Sequence, residues 1–411
     1  MVPPTVASTN FTLQPFYQNP LILEQKCSVT VLLVDPDLEM DTMWALESVA
    51  ANILPLETTC ILLKTSICGK GKSSRDAYTG FDVQERYRQK ADRVRKLARP
   101  LLANLIDRGN VRMTILNHTH YNLRACDNFY NPSFMLENFR FWGSDEFDED
   151  LDSDLVLMTQ GDAVLCHELH VDKWRDVAWV GAPWPARTGD RPWHFCSSLA
   201  TIWREGHLNV NADEEPPPYP TPEQMCSNTM VGPQGNGGLG LRSRKWLRKA
   251  IEYCPSIRAD VSGLSPEQYA AAPCRAQNAP AEDIYFVSIL RGIGAPIPSN
   301  YEAALFSLEL KSPGMIADQY KLNATFMEEM VRKRWYSRND ATGMDHYQKM
   351  IHHENTTKDP LIPIGIHKPW NDHVKEQLGD EYLNEQCPYM RKVVENSKYG
   401  RIQLSKLKIP F

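Results

Sequence analysis

From residue 28 onward the chain alternates short apolar runs with stretches of helical periodicity, and this alternation limits its fold more than any other feature. Val29 to Val34 (Val-Thr-Val-Leu-Leu-Val) reads as a buried strand that ends at Asp35-Pro36-Asp37. Thr59 to Leu63, Val111 to Leu116, Leu155 to Thr159 and Ala178 to Val180 read as further strands. Helices are expected over Thr42 to Ile53, about 82 to 107, and Ser133 to Trp142. Pro100 should kink or split the second of these, because proline lacks the N–H and its ring clashes with the preceding turn. Strands alternating with helices predict an α/β fold: a Rossmann-like, mostly parallel sheet with helices on both faces.

The expected organisation is one large domain over residues 28–370, an N-terminal extension over 1–27, and a C-terminal extension over 371–411 that packs on the domain. Two stretches interrupt it, a proline-rich and polar one at about 185–232 and a second at about 255–280. Loops of such length are usually functional or disordered. With 42% hydrophobic and 23% charged residues the composition is that of an ordinary globular chain with ample material for a core. Net charge is −6 and there is no long basic stripe, which argues against a nucleic-acid partner. No run of about 18 apolar residues occurs, so no integral membrane segment is expected.

Residues 1–26 lack a basic-then-apolar signal pattern, which predicts a cytoplasmic protein. The sequons at Asn10, Asn117, Asn323 and Asn355 keep a Golgi or secretory lumen as the alternative. Ten cysteines are scattered without CxxC pairs, which indicates neither a zinc site nor a disulfide framework.

Four segments are candidates for chemistry. In Gly235-Asn236-Gly237-Gly238, glycines around one asparagine let the backbone pass close to a ligand. The apolar spacing from Ser243 to Ile251 predicts that this turn opens directly into a helix, and the acidic pair Glu282-Asp283 follows downstream. Asp152-Ser153-Asp154 has the spacing by which two carboxylates share a cation, but it precedes the strand Leu155 to Thr159. Ligands of open α/β sheets bind beyond the carboxyl ends of the strands. Gln160-Gly161-Asp162-Ala163 follows that strand, which makes Asp162 the metal and diphosphate candidate. His367-Lys368-Pro369-Trp370 offers a nitrogen ligand suited to Mn²⁺ and an ammonium that balances phosphate charge.

Gln160-Gly161-Asp162, Gly181-Ala182-Pro183-Trp184, Gly235-Asn236-Gly237-Gly238 with Leu241-Arg242, Glu282-Asp283 and His367-Lys368-Pro369-Trp370, in this order, resemble a family. It is a largely uncharacterised, mainly fungal family of GT-A-type glycosyltransferase-like domains. Ala304-x-Phe306-Ser307-x-Glu309 looks like the same family. The resemblance implies a GT-A fold and a nucleotide-sugar-dependent glycosyltransferase that moves a sugar to a hydroxyl acceptor, assisted by Mn²⁺ or Mg²⁺.

By the resemblance, Asp162 stands for a reduced D-x-D acid and binds the metal with His367, while Gln160, Gly161 and Lys368 contact the diphosphate. The His-Lys-Pro-Trp segment is similar to a C-terminal motif of glycogenin-like enzymes. Asp35 is expected to help hold the nucleotide. Trp184, the turn at Gly235, Asn236, Gly237 and Gly238, and Arg242 are expected on the substrate side. Asp283, or Glu282, would serve as the base, which implies inversion, whereas the His-Lys-Pro-Trp likeness points to retention. The family usually has Gln-Thr-Asp-Ser where this chain has Gln160-Gly161-Asp162-Ala163, which leaves a catalytically silent sugar- or nucleotide-binding protein as the rival. The two are separated by whether Asp162, His367 and Asp283 converge in space.

Overall fold

The computed structural model describes residues 27–35, 37–65, 80–115, 153–182, 235–253, 283, 286, 287, 290, 295–298, 300–309, 363–369 and 385–397. It has a mixed α/β fold with a mostly parallel central sheet. The strand β1 (Val29–Val34) is buried along its whole length, because its six residues meet protein on both faces. It is followed by α1 (Met40–Asn52), β2 (Ile53–Leu54), β3 (Thr59–Thr65), α2 (Gly80–Leu97), α3 (Pro100–Asp107) and β4 (Val111–Ile115). Then come β5 (Leu155–Thr159), β6 (Ala163–Leu165), β7 (Leu169–His170), β8 (Trp179–Gly181), β9 (Leu239–Ser243) and α4 (Arg244–Tyr253). The last elements are α5 (Asn300–Phe306), β10 (Ser307–Leu308), β11 (Gly365–His367) and α6 (Met390–Asn396).

The six-stranded sheet has the order β4-β3-β1-β5-β9-β8. The β4, β3, β1 and β5 strands pair in parallel. β9 runs against both β5 and β8, so it alone is reversed in this sheet. A smaller sheet, β10-β11-β6, lies beside it, and β2 pairs with β7. Pro100 does split the long helical stretch: it occupies the first turn of α3, where its missing N–H costs nothing. No side chain caps α3 from its own N-terminus. Glu47 of α1 does so instead, its buried carboxylate accepting the N–H groups of Leu101 (3.1 Å) and Leu102 (2.8 Å).

Two expectations need correction. The glycine turn does not open into a helix at once, because β9 intervenes and α4 begins only at Arg244. Leu239 and Leu241 are wholly buried between neighbouring strands, and so short an apolar run satisfies strand and helix spacing alike. Cysteines also pair, as Cys27–Cys60 and Cys166–Cys387. Their separations of 33 and 221 residues leave no local spacing signal. The second disulfide ties the stretch before α6 to β6, where Met390, Val393 and Val394 join Ala45, Val164 and Ile366 in one apolar cluster. The expected helix at 133–142, both insertions and residues 1–26 lie outside the described residues. Among the described residues no helix is long and apolar enough to cross a membrane.

Replacing Glu47 by Ala strands one buried and one part-buried amide at the start of α3. The expected loss is about 1–3 kcal/mol of stability, read from the urea midpoint, with a smaller loss for Glu47→Gln, which keeps one acceptor.

Candidate functional site

The site assembles at the carboxyl edge of β1 and β5. Asp35 follows β1, accepts the Asp37 N–H at 2.8 Å and accepts a short hydrogen bond from the Thr42 hydroxyl. Gln160, Gly161 and Asp162 form the turn between β5 and β6, with Gly161 against Thr42 of α1. Because β9 is reversed, its N-terminus arrives at this same edge, and the turn Gly235–Gly238 comes with it. The Ala182 carbonyl accepts the N–H groups of Gly235 (3.2 Å) and Asn236 (3.0 Å), and the Gly238 carbonyl accepts that of Gln160 (3.0 Å). Asp283 accepts the Gly237 N–H at 2.9 Å.

The small sheet supplies the rest. Pairing of β11 with β6 sets His367 opposite Ala163, next to Asp162, and the Lys368 N–H donates to the Asp162 carbonyl at 2.9 Å. His367 Nε2 stands 3.4 Å from Asp162 Oδ1 and 3.2 Å from Gln160 Oε1. Its Nδ1 stands 3.5 Å from Glu309 Oε1, which also accepts Lys368 Nζ at 2.9 Å. Asn236 Nδ2 donates to Glu309 Oε2 at 2.6 Å, and Asn236 Oδ1 accepts the Gly238 N–H at 2.9 Å. Gly238 lies directly on the imidazole, where any Cβ would collide with the ring. Asp162, His367 and Asp283 are thus joined through consecutive contacts.

Electrostatics follow from this packing. Burial alone would discharge His367, but the carboxylates of Asp162 and Glu309 raise its pKa to about 9. Burial likewise works against charge on Glu309, yet His367 and Lys368 hold its pKa at about 2. Asp162 is also held below the usual carboxylate range, against burial, by His367 and then Lys368. Asp41, at the start of α1, goes the other way: burial first, then Asp35, Glu39 and Asp162, push it up to about 6.

A divalent cation fits this donor set in part. Asp162 Oδ1 is enclosed and has no hydrogen-bond partner among the described residues, and His367 Nε2 faces it. A carboxylate oxygen with an imidazole nitrogen makes two protein ligands and leaves the remaining positions to water or phosphate. No group of three His, Cys, Asp or Glu forms a metal cage among the described residues. The two acids raise the basicity of His367, so a cation taken at Nε2 would compete with a proton there.

Other expected residues fall elsewhere. Arg242 is wholly buried within β9, its guanidinium 3.8 Å from the centre of the Trp179 ring, and it donates to the Gly237 carbonyl at 3.3 Å. Glu282 and Trp184 lie outside the described residues. Asp154 sits at the opposite end of β5 from Asp162 and starts α4, accepting the Lys245 N–H and the Ser243 hydroxyl, each at 2.8 Å. Sequence reasoning gave no role to Glu309 or Asp41. For Glu309 the available signal was its place in the Ala304-x-Phe306-Ser307-x-Glu309 stretch, to which no role was attached.

The chain matches, over residues 132–324, a family described as a protein of unknown function (DUF5672). That span includes Asp162, the turn and Glu309 but not His367. No curated protein matches the chain. Among solved structures it is similar to a galactosyltransferase, LgtC, in complex with donor and acceptor sugar analogs, at 13% identity and a TM-score of 0.39, covering 91% of this chain and 100% of that one. It is similar also to the mannosyltransferase Ktr4p from S. cerevisiae, at 8% identity and a TM-score of 0.33, covering 56% of this chain and 60% of that one. A third is the glycosyltransferase GlyE of Streptococcus pneumoniae, at 10% identity and a TM-score of 0.34, covering 92% and 64%. Likenesses this loose transfer no residue's role.

Two outcomes are expected. His367 gains basicity on folding, so its contribution to stability is full below its ordinary pKa of 6.5 and is lost as pH rises through about 9. Glu309 gains acidity, so its contribution is present above 4.5 and is lost as pH falls towards about 2. Urea midpoints measured across pH should show both limbs, and His367→Gln should flatten the alkaline one. Gly238→Ala, which drives a methyl into the imidazole, should lower stability by about 1–3 kcal/mol and shift the His367 ring resonances in an NMR spectrum.

Proposed function

We propose that the protein is a glycosyltransferase that uses a nucleotide-sugar donor and a hydroxyl-bearing acceptor. The observation that carries the reading is the meeting of Asp162, His367, Lys368, the Gly235–Gly238 turn and Asp283 at one carboxyl edge of the sheet. That edge is where an α/β sheet binds its ligands, and its paired charges suit a diphosphate better than a neutral sugar alone. Domain boundaries are proposed as residues 28–370, with 371–411 attached through α6 and the Cys166–Cys387 disulfide.

In this reading Asp162 and His367 would hold a Mn²⁺ or Mg²⁺ ion, which would supply positive charge for the leaving diphosphate. Lys368, whose side chain is 40% exposed, keeps its bond to Glu309 and offers its remaining N–H donors to the same phosphates. Asp35 and the edge of β1 hold the nucleoside. Asp283 lies across the turn from them and takes the proton of the acceptor hydroxyl. As that oxygen bonds to the anomeric carbon, the carbon–oxygen bond to the diphosphate breaks and its electron pair leaves with the diphosphate. A base placed this way makes the transfer inverting. The two disulfides support an oxidising compartment such as the secretory lumen over the cytoplasm.

One observation favours the rival, a silent nucleotide- or sugar-binding protein. Lys368 and His367 already have carboxylate partners, so the site is electrically satisfied without a reaction to perform.

Thermal denaturation with a panel of nucleoside diphosphates and nucleotide sugars, each with and without Mn²⁺, separates them. The transferase should show a rise in Tm that needs both Mn²⁺ and one nucleotide, and Asp162→Asn should abolish it. With that donor and an accepted hydroxyl compound, Asp283→Asn should cut turnover at least 100-fold, and NMR of the product should show the inverted anomer. Nucleotide binding without turnover towards any acceptor would favour the silent protein, and absence of binding would sink both readings.

A further inference from the structure

Glu309 is 5% exposed and touches both halves of the site. Its place is set by strand pairing: β10 runs parallel to β11 with Ser307 beside Gly365 and Leu308 beside Ile366, so the next row holds Glu309 and His367. Its two oxygens divide their partners. Oε1 accepts Lys368 Nζ at 2.9 Å and faces His367 Nδ1 at 3.5 Å, whereas Oε2 accepts Asn236 Nδ2 at 2.6 Å. Asn236 in turn accepts the Gly238 N–H at 2.9 Å.

A carboxylate present only to balance the imidazolium needs no bond to a neutral amide, since that bond neutralises no charge. The second oxygen therefore does something else: it fixes the turn. Lys368 gives the same indication from the other side. Its φ of 52° lies in the left-handed region that residues with side chains rarely enter. Its N–H bond to the Asp162 carbonyl and its ammonium bond to Glu309 hold it there.

We propose that Glu309 is a positioning residue that locks the phosphate-facing pair His367–Lys368 and the acceptor-side turn Asn236–Gly238 into one arrangement. The proposal rests on the transferase reading of the site. Glu309 holds the imidazole by the charge contact at Nδ1, 3.5 Å away and without a hydrogen bond, which leaves Nε2 towards Asp162, and it reaches Gly238 through Asn236. A shorter acid could not span both partners, and a glutamine keeps the amide link while losing the charged one.

The test uses the full chain with Glu309→Ala, Glu309→Gln and Lys368→Met, each checked for folding by far-UV circular dichroism. Calorimetric titration with MnCl₂ and inorganic pyrophosphate should show affinity falling about tenfold or more in both Glu309 variants, as for other groups that orient metal ligands. Amide hydrogen exchange at Gly237 and Gly238 should accelerate in Glu309→Ala but stay near wild type in Glu309→Gln. Lys368→Met should weaken pyrophosphate binding with exchange unchanged. Equal exchange in the Ala and Gln variants would overturn the proposal, as would a Glu309→Ala protein that binds like wild type. A wild-type protein that binds neither MnCl₂ nor pyrophosphate would sink the transferase reading, and the exchange comparison alone would then decide the role of Glu309.

Discussion

A buried imidazolium must have its charge answered nearby, and the arrangement of this site follows from how His367 is answered. Its ring, with 3% of the side chain exposed, has Asp162 against one nitrogen and Glu309 against the other. Removing either acid would leave a charge in a medium that solvates it poorly, at a cost of several kcal/mol. Three short strands exist in the geometry that supplies both acids: β6 directly after Asp162, β10 directly before Glu309, and β11 carrying His367 between them. The apolar cluster that includes Val164, Leu308 and Ile366 anchors those strands from behind, and the Cys166–Cys387 disulfide ties the C-terminal segment onto the same cluster.

The large sheet contributes by direction rather than by side chains. Four parallel strands deliver their carboxyl ends to one edge, which brings Asp35 and Asp162 there. One reversed strand, β9, delivers its amino end to that edge and so adds the Gly235–Gly238 turn, with Asp283 bound to it. Had β9 run with its neighbours, the turn would lie at the far end beside Asp154. Arg242 shows the consequence for an interior position. Stacked on Trp179 and bonded to the Gly237 carbonyl, it supports the turn from below.

Much of this was legible beforehand where the signal is local. The β5 strand was read to the residue, Pro100 parted two helices as its chemistry requires, and the rule that ligands bind beyond carboxyl ends separated Asp162 from Asp154. Legibility failed where the signal is distant or shared. Five residues from Leu239 to Ser243 fit two periodicities, and only their neighbours β5 and β8 decide for strand. Cysteines 33 and 221 residues apart give no pattern along the chain. Glu309 stood in the sequence within the Ala304-x-Phe306-Ser307-x-Glu309 stretch, with nothing to show that its two oxygens reach different parts of the chain.

By itself, then, the sequence determined the alternation of elements, the parallel core and the turns that carry Asp162 and Asn236, because each depends on side chains a few residues apart. Only the tertiary structure decided which of these meet. Asp162 and His367 are neighbours through β6–β11 pairing, and His367 and Glu309 through β10–β11 pairing. The physical reason is that buried charges and unpaired amides select partners by position in space, and strand pairing sets that position across gaps in sequence that no local pattern spans.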